Sequence, residues 1–457
     1  MKNITRLEAL RFKNIKNIKE GCVYFNEQKK LERGIYDENE LSSVLGIYGQ
    51  NGSGKTTALD ALRFIQILFS NAPIAPTFVD FINCDSGSMS VGADFLVFTK
   101  NRFFYVYYDI DIGKRNDNRM FIASEKLSYF ELGKERDKSN FFEFRSGGKI
   151  KDTFLSKLAS RDKVIYQYTS SIETDATTNN GFILSAIFNS KLLNIAAQNK
   201  DGLGDYFDII SALASFGRNN LAIYSINYFN ENSNVGIRFR VREQNENMVG
   251  DIFVPFTPYA LDTRYFKVFE QIISKVNRVM PSIIPGYVIK IQKTNNAEIQ
   301  KLTNSIEFYM TSQRFNNKPI PLIYESNGIK KIISVLSGLI DAYSNEGCLM
   351  AIDEIDSGIF EYLLGEIVYA FDNFGKGQLI FTSHNMRILE KVNYKNIFFT
   401  TVDHSKAFIQ FTNVRESNNL RDMYYKYIAN GYEKEPKLYD MVETEQLISA
   451  LYVNEEV

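Results

Sequence analysis

One short glycine-rich segment constrains this chain more than any other. Residues 49–56 read GQNGSGKT and match the pattern GxxxxGK[ST] in full. Glycines allow positive φ angles and let a phosphate approach the backbone, whose N–H groups then surround the anion. The lysine of this pattern can reach the β- and γ-phosphates, and the next hydroxyl can bind Mg²⁺. The predicted ATP-binding residues are Gly49, Gln50, Asn51, Gly52, Ser53, Gly54, Lys55, Thr56 and Thr57.

The residues on either side of this loop have the patterns of a strand and a helix. An apolar run at 43–48 stops at the first glycine, which is typical of a buried strand. Residues 56–70 have apolar side chains at helical spacing, and a helix here points its positive N-terminal end at the loop. We therefore predict an ATP site in which Lys55 is a catalytic residue and Thr56 is a magnesium ligand.

A second group of polar residues follows an apolar segment in the C-terminal half. Residues 348–352 read CLMAI, and Asp353 and Glu354 come directly after them. Two adjacent carboxylates at the end of a buried strand are costly unless a cation compensates their charge. We predict that Asp353 holds Mg²⁺ through water and that Glu354 is the general base for the attacking water. Without the loop at 49–56, the same segment would also fit a strand that ends in solvent.

The chain has two histidines, and the position of one is informative. His384 follows an apolar pattern at 378–382 that ends, like the previous strand, in polar residues. In parallel α/β sheets, ligands gather at the carboxyl ends of strands. We predict that His384 contacts the γ-phosphate or orients Glu354 and its water; the alternative is a surface histidine at a strand end. His404 lies in a predicted turn and is interpreted as a surface residue.

Composition argues against several other classes of protein. With 53 basic and 54 acidic residues the net charge is -1, so no global field favours nucleic acid, although a local basic groove is compatible with this balance. Cys22, Cys84 and Cys348 lie far apart, which argues against disulfides or zinc and fits a reducing compartment. No run of about 18 apolar residues and no signal-like N-terminus occur, so we expect a cytoplasmic protein with no membrane partner.

The order of strand and helix patterns predicts an α/β fold with an antiparallel β meander, a helical insertion and no long coiled coil. A hairpin opens the chain, and period-two segments from 91 to 145 form the aromatic-rich meander. Its aromatic residues are interpreted as packing between sheets, with base stacking as the alternative. Strand–helix alternation from 328 to 382 predicts a parallel sheet. The predicted segments are 1–150, the N-terminal half of an ATPase head; 151–284, a mainly helical insertion; 285–412, the C-terminal half of the head; and 413–457, a C-terminal tail.

A motif just before the acidic strand carries a family resemblance. Residues 325–331 read ESNGIKK and resemble the signature motif of ABC-type ATPases in the divergent form ES-x-G-x-[KR]-[KR]. The resemblance implies an ABC-type P-loop head in which Ser326, Gly328 and Lys330 of one subunit contact the γ-phosphate held by another. A hydroxyl and bare N–H groups at a helix N-terminus can form such an anion site; an ordinary serine helix cap is the alternative. Asp356 and Ser357 resemble the D-loop, through which the subunits of this family communicate.

The motif order is similar to that of the compact RecF- and OLD-like ATPases, which lack the long coiled coil of SMC-type proteins. Residues 12–14, FKN, resemble a strand-end motif that lies near the nucleotide in RecF- and SMC-like ATPases. The segments 46–52 and 415–422 look most like the ATPase subunits of the PARIS and AbiL anti-phage systems. That resemblance implies a homodimer or a higher homo-oligomer that uses ATP and Mg²⁺. It also implies a TOPRIM-like effector nuclease as partner and a phage protein as trigger.

Two other functions fit parts of the pattern. A RecF-like DNA repair ATPase needs a basic groove, for which Arg11, Lys13, Lys16 and Lys19 are candidates, although such a charge run also fits a solvated face. A transporter ATPase needs a membrane partner, which neither the meander nor the insertion suggests. No nuclease constellation is visible, so any cleavage of nucleic acid is expected to come from another protein.

The C-terminal segment 433–457 is acidic and contains apolar residues at a spacing that can form a stripe. This pattern fits either a terminal helix docked on the protein or a tail that binds a partner. The stripe consists of Leu438, Met441, Val442, Leu447, Ile448 and Leu451.

Overall fold

The fold was analysed in a computed structural model. It describes residues 3–26, 43–134, 141–145, 151–152, 185, 187, 200–225, 234–243, 246–294, 305–411, 414, 419–430, 436–440 and 444–451. The strands are β1 (Ile4–Ile15), β2 (Ile18–Tyr24), β3 (Val44–Tyr48), β4 (Ser88–Thr99), β5 (Arg102–Lys114), β6 (Met120–Glu131), β7 (Phe141–Arg145), β8 (Lys151–Asp152), β9 (Leu221–Tyr224), β10 (Asn234–Glu243), β11 (Glu246–Pro255), β12 (Tyr259–Asp262), β13 (Tyr287–Lys293), β14 (Ser305–Arg314), β15 (Ile320–Pro321), β16 (Leu349–Ile352), β17 (Gln378–Ser383), β18 (Ile397–Thr400) and β19 (Phe408–Ile409). The α-helices are α1 (Lys55–Phe69), α2 (Lys200–Ser215), α3 (Thr263–Ile283), α4 (Asn327–Ser344), α5 (Glu361–Phe374), α6 (Leu420–Asn430) and α7 (Thr444–Leu451).

The N-terminal strands form an antiparallel sheet in the order β2-β1-β4-β5-β6-β7-β8. Strands β4 and β5 pair along their whole length, from Ser88 opposite Gly113 to Thr99 opposite Arg102. Side chains of successive residues point to opposite faces, so a period-two pattern buries one row of apolar side chains. The opening hairpin and the meander predicted from the sequence are therefore confirmed.

A second sheet holds the glycine-rich loop. Its strand order is β19-β18-β3-β17-β16-β9, and only the pairing of β18 with β19 is antiparallel. Every residue of β3, β16, β17 and β18 is buried. Parallel strands covered on both faces require such continuous apolar runs, and the predicted parallel sheet is confirmed.

Helix α1 packs between the two sheets. Its buried side chains, such as Leu62 and Phe64, join one apolar cluster with Ile47 of β3 and Phe95 of β4. A second cluster lies on the other face of the parallel sheet and contains residues of α3, α4 and α5. Because apolar side chains leave β3 toward both clusters, the strand that carries the loop is fixed from both sides.

The segment predicted as a mainly helical insertion, 151–284, contains α2 and α3 but also four strands of at least four residues. β9 joins the edge of the parallel sheet beside β16, and β10 pairs with β11 as a hairpin. In β10 the buried Ile237, Phe239 and Val241 alternate with arginines, a period-two signal that the sequence analysis missed. The boundaries of the predicted segments stay a prediction.

The predicted fold class, α/β with an antiparallel meander, is confirmed. The longest helix in the described part of the chain is α3, with 21 residues, so no coiled coil is seen there. None of the described helices is both long and apolar enough to cross a membrane.

The C-terminal residues contribute one buried anchor and one exposed helix. Leu438 is 2% exposed, whereas Leu447, Ile448 and Leu451 of α7 are 49%, 49% and 72% exposed. The backbone N–H of Asp440 donates to Gln50 Oε1 at 3.2 Å, which places this segment beside the glycine-rich loop. Met441 and Val442 lie outside the described residues, and the choice between a docked helix and a partner-binding tail stays a prediction.

Candidate active site

The glycine-rich loop leaves the C-terminal end of β3 and enters α1 with left-handed glycines. Gly52 and Gly54 have φ angles of 79° and 99°, which residues with a Cβ rarely adopt. Gly49 approaches β18 so closely that an added Cβ would lie 1.7 Å from Thr400 Oγ1. Among the described residues, no side chain caps α1 at its N-terminus. The Thr57 N–H donates to the Gly54 carbonyl oxygen at 3.0 Å, and no described side chain occupies the N–H groups of Lys55 and Thr56. A helix start of this kind is available to an anion.

Lys55 folds back over this loop. Its Nζ donates hydrogen bonds to the carbonyl oxygens of Gly49 and Gln50, both at 2.9 Å. Burial lowers the pKa of Lys55, while the charges of Asp353, Glu354 and Asp356 oppose that shift. The ammonium group thus lies at the loop with the acidic strand end facing it, where phosphate oxygens are its natural partners.

The acidic end of β16 meets the start of α1. Thr56 Oγ1 donates to Asp353 Oδ2 at 3.0 Å, and Thr382 Oγ1 of β17 donates to Asp353 Oδ1 at 2.6 Å. Mg²⁺ in nucleotide sites takes one or two protein oxygens and completes its shell with phosphates and water. A hydroxyl and a carboxylate that touch beside a phosphate-binding loop fit this requirement, so Thr56 and Asp353 are the residues that would hold the ion.

Glu354 follows Asp353 in an unusual backbone conformation. Its φ is 47°, in the left-handed region, and its N–H donates to Thr382 Oγ1 at 2.7 Å. The side chain is only partly buried. A carboxylate at this edge of the sheet, next to the predicted metal ligand, can accept a proton from a water that attacks the γ-phosphate.

His384 lies at the end of β17, between the acidic strand and the strand that carries the loop. Its backbone N–H donates to Asp356 Oδ2 at 3.1 Å, which ties the predicted D-loop to it. Partial burial and the charge of Lys55 lower the pKa of His384 below 6.5, although Asp356 and the other carboxylates oppose this shift. A lowered pKa favours the neutral imidazole, which can accept or donate a hydrogen bond, and the residue is exposed in the single chain.

The residues of the predicted signature motif lie at the start of α4. Ser326 is exposed and caps the helix, because its Oγ accepts a hydrogen bond from the N–H of Ile329 at 3.3 Å. Gly328 packs on Gly358, so that a Cβ on Gly328 would lie 1.9 Å from the Gly358 carbonyl oxygen. Lys330 Nζ donates to the carbonyl oxygen of Ile323 at 2.9 Å. The alternative of an ordinary serine cap is therefore realised in one chain, and the contact with a second subunit stays a prediction.

The exposed Ser357 of the predicted D-loop donates its N–H to the Glu354 carbonyl oxygen at 3.0 Å.

The turn that follows the N-terminal motif at residues 12–14 contacts the glycine-rich loop. Asn17 Nδ2 donates to the Gly52 carbonyl oxygen at 2.8 Å, and Ile18 Cδ1 would lie 2.4 Å from a Cβ on Gly54. Phe12 itself is buried, so the contact comes from the turn rather than from the motif.

Three residues of this site were not predicted from the sequence. Thr382 bonds both acidic residues, and its position one residue before the end of a parallel strand could have indicated this. No local sequence pattern around Asn17 indicated its contact with the glycine-rich loop. Lys331 was part of the signature pattern, but nothing in the sequence showed that its Nζ donates to the Glu354 carbonyl oxygen, at 2.5 Å. Among the residues that the structure covers, no group of three or more His, Cys, Asp or Glu side chains could hold a metal ion.

Comparison with known proteins gives one family and a set of distant structures. The profile of a family described as "AAA domain, putative AbiEii toxin, Type IV TA system" matches residues 44–390. No curated protein matches the chain.

Three solved structures are similar over most of the chain. The SMC head domain from Thermotoga maritima is 13% identical, with 89% of this chain and 99% of that chain covered and a TM-score of 0.38. The Smc head domain from Pyrococcus furiosus, with an extended coiled coil and bound to the C-terminal domain of ScpA, is 12% identical, with 90% and 97% covered and a TM-score of 0.43. An SmcHead bound to the C-winged helix domain of ScpA is 11% identical, with 89% and 98% covered and a TM-score of 0.42.

The match to the family profile includes the glycine-rich loop, the acidic pair and His384. The chain therefore belongs to this AAA domain family and is a nucleotide-hydrolysing ATPase.

Proposed function

We propose that the chain is a regulatory, Mg²⁺-dependent ATPase whose two ATP sites are completed by head-to-tail pairing of two copies. The observation that supports the catalytic part is the contact of Thr56 Oγ1 with Asp353 Oδ2, at 3.0 Å. This contact joins the first turn of α1 to the end of β16. Lys55, Glu354 and His384 lie at the same edge of the sheet.

Each side chain has a separate task in this proposal. The loop N–H groups and Lys55 bind the phosphates, and Glu354 accepts a proton from water as its oxygen attacks the γ-phosphorus. The bond from that phosphorus to the β–γ bridging oxygen breaks, and ADP leaves with the electron pair. Mg²⁺, when bound at Thr56 and Asp353, neutralises charge on the β- and γ-phosphates. His384 orients the water or the γ-phosphate.

The second subunit supplies the other side of the γ-phosphate. Ser326 is exposed at the start of α4, where an anion can replace its capping hydrogen bond. Large aromatic side chains are exposed near the signature and the D-loop: Tyr324 is 77%, Phe360 is 70% and Tyr362 is 53% exposed. Exposed aromatic residues are typical of protein interfaces. Ser326, Gly328 and Lys330 of the partner are therefore proposed to complete the site, with Asp356 and Ser357 between the two subunits.

Pairing and ATP binding are thermodynamically linked in this arrangement. Each γ-phosphate is shared by two subunits, so ATP binds the paired state more tightly than the single subunit and shifts the equilibrium toward pairs. Hydrolysis removes the shared group and favours separation. A protein of this kind can report whether ATP has been hydrolysed by changing its assembly.

The variant Glu354→Gln tests this proposal. It retains the shape of the side chain but cannot accept the proton, so it should accumulate an ATP-bound dimer, seen by light scattering after size exclusion with ATP and Mg²⁺. The double variant Glu354→Gln/Lys55→Ala is the control and should elute as in the absence of ATP. A Glu354→Gln protein that binds ATP but does not change in size would contradict the dimer.

We further propose that this ATPase controls an effector in anti-phage defence. Support comes from the description of its family, which names a toxin and a toxin–antitoxin system. The resemblance of 46–52 to PARIS and AbiL ATPases points the same way, while half of 415–422 lies outside the described residues. The proposed partner is a TOPRIM-like nuclease, and the proposed trigger is a phage protein.

Phage challenge tests the defence role. Cells that express the chain with its neighbouring genes should resist some phages, and the variant Lys55→Ala should remove that resistance. If the neighbouring genes encode replication proteins and no phage is restricted, the defence role is wrong, while the ATPase proposal stands.

The alternative role in DNA repair has weaker support in the structure. Three of the four basic residues proposed to line a groove are in ion pairs: Arg11 with Asp94 and Asp109, Lys13 with Glu20, and Lys16 with Asp60. Their charges are already compensated within the chain. ATPase activity that rises steeply with DNA and falls with salt would favour the repair role.

A further inference from the structure

The second lysine of the signature segment points into the protein, toward the acidic strand end. Lys331 is 9% exposed, and its Nζ donates to the Glu354 carbonyl oxygen at 2.5 Å. Its neighbour Lys330 points elsewhere, to the Ile323 carbonyl oxygen and to a position 4.7 Å above the Phe256 ring. The two adjacent lysines therefore have different environments.

The residue that Lys331 contacts has a conformation that requires support. Glu354 has a φ of 47°, a region that side chains with a Cβ rarely adopt. Both polar groups of its backbone are held: the N–H donates to Thr382 Oγ1, and the carbonyl oxygen accepts from Lys331 Nζ and the Ser357 N–H. Because the backbone angles at Glu354 set the direction in which its carboxylate leaves the strand, these contacts bear on catalysis.

The charge of Lys331 also matches its surroundings. Asp356, Glu354 and Asp353 all lie close enough to oppose the lowering of its pKa that burial causes. Carboxylates that lie close together at one strand end repel each other unless positive charge compensates them. Lys331 and Lys55 supply that charge from opposite sides, one from α4 and one from α1.

Helix α4 is joined to the acidic end by a second contact. Near its first turn, Gly328 packs on the backbone of Gly358, with no room for a methyl group between them. Closely packed elements move together rather than independently. Displacement of the start of α4 is therefore transmitted to the segment from Glu354 to Gly358 through both contacts.

We propose that Lys331 is a positioning residue for ATP hydrolysis, which holds the backbone of Glu354 in its left-handed conformation and links it to α4. The positioning role concerns a single chain. A second role, communication between the two ATP sites, rests on the proposed dimer. In that dimer the start of α4 contacts the nucleotide of the partner, and Lys331 connects this contact to Glu354 of its own chain. Each subunit's general base then responds to the nucleotide that its partner holds.

Substitution of Lys331 tests the positioning role. Lys331→Met removes the charge and the donor at similar length, and should lower kcat at least about tenfold while the KM for ATP changes less than about twofold. Lys331→Arg retains both features and should recover most of the rate. Lys275→Met is the matched control, since Lys275 Nζ donates to the Arg240 carbonyl oxygen at 2.7 Å, away from this site. It should retain the full rate.

Thermal unfolding and the affinity for a fluorescent ATP analogue show whether Lys331→Met is folded and binds nucleotide. A folded protein with an unchanged kcat would overturn the proposal. A parallel loss of affinity and kcat would also overturn it, since that pattern indicates a general structural role. If Lys331→Arg is as slow as Lys331→Met while both bind ATP, the proposal that a charged donor at residue 331 positions Glu354 is wrong.

Mixed dimers test whether Lys331 acts on the Glu354 of its own chain. One subunit carries Lys55→Ala, so only the other binds ATP and uses its own Glu354. Lys331→Met in the ATP-binding subunit should give a rate at least about tenfold lower than Lys331→Met in the Lys55→Ala subunit. The reverse order would mean that Lys331 acts through the signature contact and would overturn the proposal. If Glu354→Gln does not dimerise, only the proposed dimer is wrong. The positioning role of Lys331 is still tested by the kinetics of the single Lys331 variants.

Discussion

Helices α1 and α4 both begin at a segment predicted to bind the phosphates of ATP, yet their N-termini are built differently. At α1 the residue before the helix is the left-handed Gly54, and no described side chain caps the helix. At α4 that residue is Ser326, whose hydroxyl accepts a hydrogen bond from the Ile329 N–H. One helix start has no side-chain cap in the described part of the chain and is available to a ligand, whereas at the other a side chain already satisfies one N–H group.

The surroundings of the two helix starts differ in the same way. Around α1, Lys55, Thr56 and Asp353 face one another within the chain. Around α4, Gly328 packs on Gly358, and Lys330 and Lys331 contact carbonyl oxygens of the same chain. The first site brings its phosphate-binding and metal-binding residues together within one chain, while the second is a stable surface whose cap must rearrange before it can hold a phosphate. A single chain should therefore bind ATP through α1 and not through α4.

The largest expected effect is on ATP affinity. Lys55→Ala removes a charged donor from the phosphates and should weaken ATP binding about 100-fold, or about 2.7 kcal/mol. Ser326→Ala should change the affinity of the monomer by less than about twofold. Titration of a fluorescent ATP analogue at low protein concentration measures both. Equal losses in the two variants would break the comparison, because α4 would then contribute to ATP binding in a single chain.

The next effect concerns stability. Gly328→Ala places a methyl group against the Gly358 carbonyl oxygen and should lower the free energy of unfolding by about 2 kcal/mol. Gly52→Ala meets no atom within 4 Å, and its φ of 79° should cost only about 1 kcal/mol. Chemical denaturation of both variants gives the difference. If Gly328→Ala is as stable as the unsubstituted protein, the start of α4 is not fixed to the D-loop.

A smaller effect separates the capping role of Ser326 from its proposed role in the dimer. Aspartate caps helices about as well as serine, so Ser326→Asp should leave the free energy of unfolding within about 0.5 kcal/mol. Its negative charge should repel the partner's γ-phosphate and lower the ATPase rate about tenfold, or about 1.4 kcal/mol. Ser326→Ala should instead cost about 1 kcal/mol of stability. A Ser326→Asp protein with a normal rate would restrict Ser326 to capping.

The smallest expected effect is that of His384 on the pH dependence of the ATPase rate above neutral pH. The pKa of His384 lies below its ordinary 6.5 because of burial and the charge of Lys55, so the imidazole takes up its proton at a lower pH than an unperturbed histidine. Any loss of stability or activity from this protonation therefore grows as the pH falls from neutral toward acid. The ratio of unsubstituted to His384→Gln ATPase rates should therefore differ by less than about twofold between pH 7 and pH 8. A ratio that changes strongly in this range would mean that the α1 site does not keep the imidazole neutral.

Much of this arrangement could be predicted from sequence because it is local. The loop at 49–56 and its flanking strand and helix are contiguous, and Asp353, Glu354 and His384 directly follow buried strands. What could not be predicted depends on pairings between distant segments. β9 at the edge of the parallel sheet, Asn17 on Gly52, and Lys331 on Glu354 each join residues whose local patterns carry no information about the partner.

The groups available for ATP chemistry follow from the order of residues along the chain: a phosphate loop, two carboxylates, a histidine and a serine-led helix. Residue type and spacing fix which backbone angles and which donors a segment can offer. The way in which these groups are held depends on the folded chain. Burial selects the partners of charged side chains, and it brought Lys331 to the backbone of Glu354, because a desolvated ammonium group must lie against acceptors and negative charge.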